Sequence, residues 1–246
     1  MPRGVPSIRA VLFDLGGTLI DERDFVGWSE WARGVGIEAA PDEIAHAFAE
    51  VEEEIDVVPL DLAGQAAVVE RWRRILTLAV GKAVNTETAS RFVARRSLGQ
   101  EHPVFLYSDV RRCLDQLRAD RRRLGVISNS TSEASVRRIL DRVGILEYFE
   151  RVISSGTEGV AKPDPEIFRR ALARLDVRPE EALYVGNLPR TDALAARTAG
   201  LHSVWLHRDG TGLGEDPPEI TSLLEVPLVV RQLERPDTPP PPPSVK

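Results

Sequence analysis

Val11-Leu12-Phe13-Asp14-Leu15-Gly16-Gly17-Thr18-Leu19 is the stretch that decides the fold. An apolar run ends in an aspartate, and a glycine pair and a threonine come next. Such a run reads as a strand, Ile8 to Asp14, that stops at the edge of a sheet. Gly16 and Gly17 let the backbone turn sharply and approach a ligand closely. A carboxylate at the carboxyl end of a parallel strand lies where open α/β sheets bind ligands. Taken alone, the stretch reads equally well as a strand, a helix-capping aspartate and a glycine turn.

The residues beyond this stretch set the architecture. From about Asp21 the strand signal gives way to helical periodicity. Phe25, Trp28, Trp31 and Val35 form one apolar stripe. Pro41 opens a helix with Asp42 and Glu43 in its first turn, where they favour the helix dipole, and Ile44, Phe48, Val51 and Ile55 form its buried face. Val68, Trp72, Ile75, Leu76 and Ala79 mark a third helix, and Asn85 begins a fourth with Phe92 and Val93. This is a helical insert over roughly 22–98.

After Gly99 the chain alternates. Ser108 or Asp109 caps a helix to about Ala119, and Leu124–Ser128 is a short strand with no polar face, as in a parallel strand covered on both sides. A helix Thr131–Val143, a strand Arg151–Ser154, a helix Pro165–Leu175 and a strand Ala182–Val185 come after it. Then come a helix Asp192–Ala199 and a strand Ser203–Leu206. The alternation predicts a doubly wound parallel α/β sheet. Residues 218–234 add a short helix and an edge segment. Residues 236–246 are a proline-rich tail, with five prolines in a row at 239–243, expected to be a solvated polyproline II segment. The domains are therefore a core of 1–21 and 99–235, the insert 22–98, and the tail.

Composition narrows the function. The chain has 246 residues, 42% of them hydrophobic, and a net charge of −6 from 32 basic and 38 acidic side chains. Nothing in that balance suggests a nucleic-acid partner. No apolar run reaches the length of a membrane span, and the N-terminus has no apolar signal core. A cytoplasmic protein acting on a small-molecule substrate is the expectation, with the oligomeric state open. Cys113, the single cysteine, falls on the apolar face of Val110, Leu114 and Leu117 and reads as packing. Lysine is scarce: only Lys82, Lys162 and Lys246.

Further strand ends carry polar groups. These are Ser128-Asn129-Ser130, then Lys162-Pro163-Asp164-Pro165, then Gly186-Asn187 through Asp192. Together with Asp14 and Thr18, this order resembles the haloacid-dehalogenase (HAD) superfamily with a helical cap of the C1 type. The resemblance runs from about Ile8 to Leu206. It implies that Asp14 is a nucleophile forming a covalent aspartyl intermediate. Ser128, beside Asn129, would bond a transferring phosphoryl oxygen. Lys162 would keep Asp14 ionised and neutralise substrate charge. Mg²⁺ would be held by Asp14, the Gly16 carbonyl and the acids of the last motif. Singly, a turn serine, a surface lysine and an N-capping Asp192 explain these residues equally well.

Two positions depart from the family pattern. Its phosphatases carry a second aspartate two residues after the nucleophile to protonate the leaving alcohol, and here that position is Gly16. The first acid of the last motif is replaced by Asn187, five before Asp192. A positioned general acid contributes about 10²–10⁴ in rate. Hard cations are selected by ligand charge and number, so Mg²⁺ should be held weakly, by Asp14, the Gly16 carbonyl, Asn187 and Asp192.

Three readings remain open. The first is a hydrolase of a small phosphate ester, slow or using an acid lent by Asp21, Glu22 or the cap. The second is a metal-free 2-haloacid dehalogenase, whose halide leaves without a proton. The family's dehalogenases differ in carrying an aromatic residue at the place of Gly16 and a tyrosine at the place of Phe168. They also need a cap arginine, for which Arg23 and Arg33 are available. The third is a non-catalytic binding protein that keeps the fold.

Overall fold

The computed structural model describes residues 7–21, 23–57, 65–98, 104–208, 210 and 218–235. The expected tail and Glu22 lie outside the described residues. The chain divides into two compact units, Met1–Asp21 with Leu106–Lys246, and Glu22–Phe105.

In chain order the elements are β1 (Ala10–Phe13), β2 (Ile20–Asp21), α1 (Phe25–Arg33), α2 (Pro41–Val57), α3 (Gln65–Val80), α4 (Thr86–Leu98), β3 (Phe105–Leu106) and α5 (Val110–Ala119). They continue with β4 (Arg123–Ser128), α6 (Glu133–Arg142), β5 (Arg151–Ser154), α7 (Ser155–Glu158), α8 (Pro165–Leu175), β6 (Ala182–Gly186), α9 (Ala195–Thr198), β7 (His202–Leu206), β8 (Glu219–Ile220) and α10 (Val226–Leu233).

The larger unit is built on a six-stranded sheet in the order β5-β4-β1-β6-β7-β8, parallel throughout. All four residues of β1 are buried, because the sheet is covered on both faces. Leu12 pairs with Gly125 on one side and Tyr184 on the other. A Cβ at Gly125 would stand 3.3 Å from the Leu12 side chain and 3.4 Å from Leu175, so the glycine lets two layers close on the sheet. The winding reverses at β1, which places a crevice at its carboxyl end.

Local signals explain the helices. Asp164 caps α8 by accepting from Glu166 N at 2.9 Å, and Pro165 stands at its first position. Ile167, Phe168, Ala171, Leu172 and Leu175 make its buried face, packed with Leu12 and Tyr184 in one core. α5 buries Val110, Cys113, Leu114 and Leu117 as the spacing predicts, and burial raises the Cys113 thiol pKa far above its usual value. α6 starts at Glu133, two residues later than the apolar pattern suggests, because the Ser132 hydroxyl caps it by accepting from Ser135 N. Glu234, just past α10, accepts from Arg122 at 2.6 and 3.0 Å and from Ile8 N at 2.9 Å, which ties the end of this unit to its first strand.

The smaller unit holds its own core. Trp28 and Trp72 meet edge to face at 4.8 Å, and Trp72 lies 4.7 Å from Phe92. Ile44, Val51, Ile75, Leu76 and Ala89 fill the space around them. The Ser29 hydroxyl donates to the Ala39 carbonyl at 2.6 Å inside this core, which satisfies a polar group that would otherwise be costly to bury. The Ile55 side chain lies outside the described residues.

Candidate active site

Asp14 comes directly after β1, and its N–H continues the ladder by donating to Val185 O at 2.9 Å. The next residues fold back on themselves: Gly17 N donates to Ile20 O at 2.8 Å and Leu19 N to Leu15 O at 2.9 Å. Gly17, with φ at +77°, is the residue that needs the freedom of glycine, whereas Gly16 is not in the left-handed region. This turn buries Thr18 completely.

Lys162 meets Asp14 from the far side of the crevice. Its Nζ donates to Asp14 Oδ1 at 2.6 Å, to Asp192 Oδ1 at 2.6 Å and to Tyr184 Oη at 3.0 Å. These are the three bonds an ammonium can make. The Tyr184 hydroxyl donates in turn to Asp192 Oδ1 at 3.1 Å. All four side chains are nearly out of water, with Asp14 8%, Lys162 5%, Tyr184 0% and Asp192 0% exposed. Burial raises the Asp14 pKa to about 6; Lys162 opposes the shift and Asp192 adds to it. Burial also works against the Lys162 charge, but its two carboxylate partners outweigh it and the lysine pKa rises. The Tyr184 phenol is pushed well above its usual value by burial and then by Asp192 and Asp14.

Asn129 and Ser128 act on different things. The Asn129 side chain donates to Lys162 O and accepts from Lys162 N, both at 2.9 Å, so it fixes the loop that delivers the lysine. The loop after β4 is anchored by the Ser130 carbonyl, which accepts from Ser154 Oγ at 2.7 Å, Gly156 N at 2.9 Å and Ser155 Oγ at 3.2 Å. Ser128 ends β4 on the same sheet edge as Asp14, because Val126 is in register with Phe13.

Asp192 does not begin a helix. It lies inside a π-helical turn, Pro189–Leu194, and its Oδ2 accepts from Leu188 N at 3.1 Å. Such turns often mark sites where a side chain must be re-aimed. The approach depends on Gly186, where a Cβ would stand 2.4 Å from the Asp192 side chain.

Asn187 lies beside the nucleophile. The Thr18 hydroxyl donates to Asn187 Oδ1 at 3.2 Å, and the carboxamide lies against the Gly16 carbonyl and Asp14 Oδ2. Of the four groups the sequence offers to Mg²⁺, Asp14, the Gly16 carbonyl and the Asn187 carboxamide lie together, while Asp192 shares Lys162 with Asp14. Among the described residues no group of three or more His, Cys, Asp or Glu could hold a metal.

Two features were not legible in the sequence. Tyr184 is one; the signal was a tyrosine in a strand with no exposed face, which needs a partner for its hydroxyl. The other is Asp109, expected to cap α5. It stands at the cap position, but its carboxylate makes no cap bond and accepts from Arg208 at 3.0 and 3.2 Å, Ser222 Oγ at 2.9 Å and Leu223 N at 2.9 Å. Arg208 stacks over Tyr107 at 3.8 Å and donates to the Thr18 carbonyl at 2.7 Å, bracing the turn that carries the site.

A doubly wound parallel sheet carries an aspartate at the end of its first strand, paired to a buried lysine from the loop beyond β5, at the crevice where such α/β folds place their reacting groups. The chain belongs to the haloacid dehalogenase-like hydrolases, whose family model matches residues 8–200. It is 31% identical over 153 residues to the phosphoserine phosphatase of Thermus thermophilus, a match covering 62% of this chain and 60% of that one. It is 27% identical over 220 residues to a glyceraldehyde 3-phosphate phosphatase of Methanothermobacter thermautotrophicus, covering 88% and 93%. In fold it is similar to a 2-haloacid dehalogenase from Pseudomonas syringae, with a TM-score of 0.61 at 24% identity over 92% of this chain and 99% of that one. Among the described residues no helix is long and apolar enough to cross a membrane.

Proposed function

We propose that the chain hydrolyses a small phosphate ester through Asp14. The observation that carries this is the 2.6 Å contact of a buried Asp14 with Lys162 at the crevice of the sheet. Asp14 attacks phosphorus, the leaving oxygen departs with its electron pair, and water hydrolyses the aspartyl phosphate. The lysine keeps Asp14 ionised and supplies positive charge to the phosphoryl oxygens. Ser128 offers a hydroxyl at the same edge. The names of the curated relatives, a phosphoserine and a glyceraldehyde 3-phosphate phosphatase, support a phosphate ester as substrate. The helical unit would serve as the cap that selects it.

Gly16 offers no proton to the leaving group, so esters of acidic alcohols react fastest. The test is a panel of aryl and alkyl phosphates with Asp14→Asn as control. Hydrolysis by the wild type and none by the folded mutant supports the reading, and single-turnover hydrolysis in ¹⁸O-water should label the phosphate.

A second reading has its own support. Asn187 and Gly16 suit displacement at carbon, where a halide takes its electron pair without proton or metal. Phe168 lacks the hydroxyl found there in the family's dehalogenases, but Tyr184, edge-on to Phe168 at 4.9 Å, brings a hydroxyl to Lys162 instead. Turnover of 2-haloacids in chelator, with ¹⁸O recovered in Asp14, would select this reading. Inactivity on both substrate classes would leave a binding protein.

A further inference from the structure

All three protons of the Lys162 ammonium are committed inside the fold. They go to Asp14 Oδ1 at 2.6 Å, Asp192 Oδ1 at 2.6 Å and Tyr184 Oη at 3.0 Å. Two of these partners are carboxylates. The third is a neutral hydroxyl with one proton of its own to give. That hydroxyl lies 3.1 Å from Asp192 Oδ1 and 3.4 Å from the Ile127 carbonyl, and the nearer, charged oxygen takes its proton. The Tyr184 ring has no room to move. It is fully buried on β6, edge-on to Phe168 at 4.9 Å, in the core that also holds Leu12 and Ile127. The lysine is thus fixed at both ends: Asn129 holds its backbone N–H and carbonyl, each at 2.9 Å, and Tyr184 meets its tip.

We infer that Tyr184 is a positioning residue for Lys162: its hydroxyl closes the ammonium's third bond and, by giving its own proton to Asp192, holds the ammonium in the one rotation that meets Asp14. An ammonium on a flexible stem turns easily about its last bond. Two carboxylate contacts alone leave its third proton without a place. Without the hydroxyl that N–H would be buried with no acceptor, which costs more than the bond itself contributes. The ammonium would then turn, or draw in water, to satisfy it. Either change loosens the bond to Asp14. With no proton left over, Lys162 acts on a substrate through its charge and through Asp14, and not as a hydrogen-bond donor. Tyr184 acts through the lysine and not on the substrate.

The inference rests on the proposed function only in taking Asp14 as the reacting group, and its first readout needs no substrate. The chain has only Lys82, Lys162 and Lys246 as lysines. Labelling with ¹⁵N at lysine Nζ therefore gives few signals, and Lys82→Arg with Lys246→Arg assigns the one from Lys162. Near neutral pH and in the cold, the Lys162 ammonium protons should exchange slowly with water and show a nuclear Overhauser contact with the Tyr184 ring. Tyr184→Phe keeps the ring and removes the hydroxyl. Its ammonium protons should exchange faster by about tenfold or more, as expected for loss of one hydrogen bond to a charged group. The backbone amides of β6 should keep their wild-type exchange. Under the phosphate-ester reading kcat should fall about tenfold with KM held within about twofold. Unchanged ammonium exchange in the folded variant would overturn the inference. So would an acceleration shared equally by the β6 amides, or a wild-type kcat in a variant whose ammonium has loosened. A wild-type ammonium that exchanges too fast to be seen, or shows no contact with the ring, would also overturn it, even if Tyr184→Phe fails to fold. If the wild type hydrolyses no ester, the proposed function falls and the exchange measurements alone judge the inference.

Discussion

Lys162 Nζ lies 2.6 Å from Asp14 Oδ1 although 148 residues separate them, and it lies at the same distance from Asp192. One buried ammonium thus holds two buried carboxylates. Removing it leaves both uncompensated, and breaking a buried pair costs about 3–5 kcal/mol. Lys162→Met should lose stability of that order in urea denaturation and lose activity. Adding Asp192→Asn should recover part of the stability without recovering activity. Equal stability of wild type and Lys162→Met would contradict this account of the cluster.

The raised Asp14 pKa makes a pH prediction. Attack needs the ionised form, so kcat/KM should fall as pH drops below about 6. Stability has the opposite sign. Between the unfolded value of 3.8 and about 6 the folded state binds more protons than the unfolded state, so this group's contribution declines as pH rises through that window. The decline amounts to at most about 3 kcal/mol, at roughly 1.4 kcal/mol per unit. Asp14→Asn should lack this slope, and urea titrations of both proteins from pH 4 to 7 measure it.

Gly16→Asp should be accepted by the backbone, since the left-handed conformation belongs to Gly17. It places a carboxyl two residues after the nucleophile. Under the phosphate-ester reading, alkyl phosphates should gain most and aryl phosphates least, with a ceiling of about 10²–10⁴. The new carboxylate repels Asp14, so Asn187→Asp with Mg²⁺ should add to the gain more than additively. The measurement is kcat/KM for wild type, both single mutants and the double mutant on one ester of each kind. No gain on either ester from a folded, Mg²⁺-loaded double mutant would give the carbon-displacement or binding reading precedence.

Asp109 joins the end of β7 to the turn after β1 through Arg208. Asp109→Ala strips a largely buried guanidinium of its carboxylate and should cost about 3 kcal/mol in urea. The Asp109 carboxylate is pulled below its usual pKa, against the effect of burial, by its bonds to Arg208, Leu223 N and Ser222. Its stabilisation is therefore present above the unfolded value of 3.8 and is lost as pH falls through the folded one. An Asp109→Ala protein of wild-type stability at pH 7 would show that the guanidinium finds other partners.

Periodicity and local chemistry determined the architecture. The apolar run of β4 reads as a parallel strand covered on both faces, and the short runs of β1, β5 and β6 read as strands from their length and alternation with helices. The Asp164-Pro165 pair set the start of α8 to the residue, because capping and a fixed proline φ act within one turn of chain. The order of Asp14, Ser128, Lys162 and Asp192 along alternating strands placed all four at one sheet edge, since parallel strands share a carboxyl end. The sequence left α7, β2 and β3 unresolved, being too short for a period to show, and it read the π-helical turn at Asp192 as a helix start. What only the tertiary structure decided are the partners: Asn129 serving Lys162, Tyr184 completing the ammonium's ligands, Asp109 leaving its cap for Arg208, and the Asn187 amide meeting Thr18. Each is a directional bond between groups at least 22 residues apart. Sequence spacing carries residue type and face, whereas the direction of a hydrogen bond depends on which atoms the fold brings opposite.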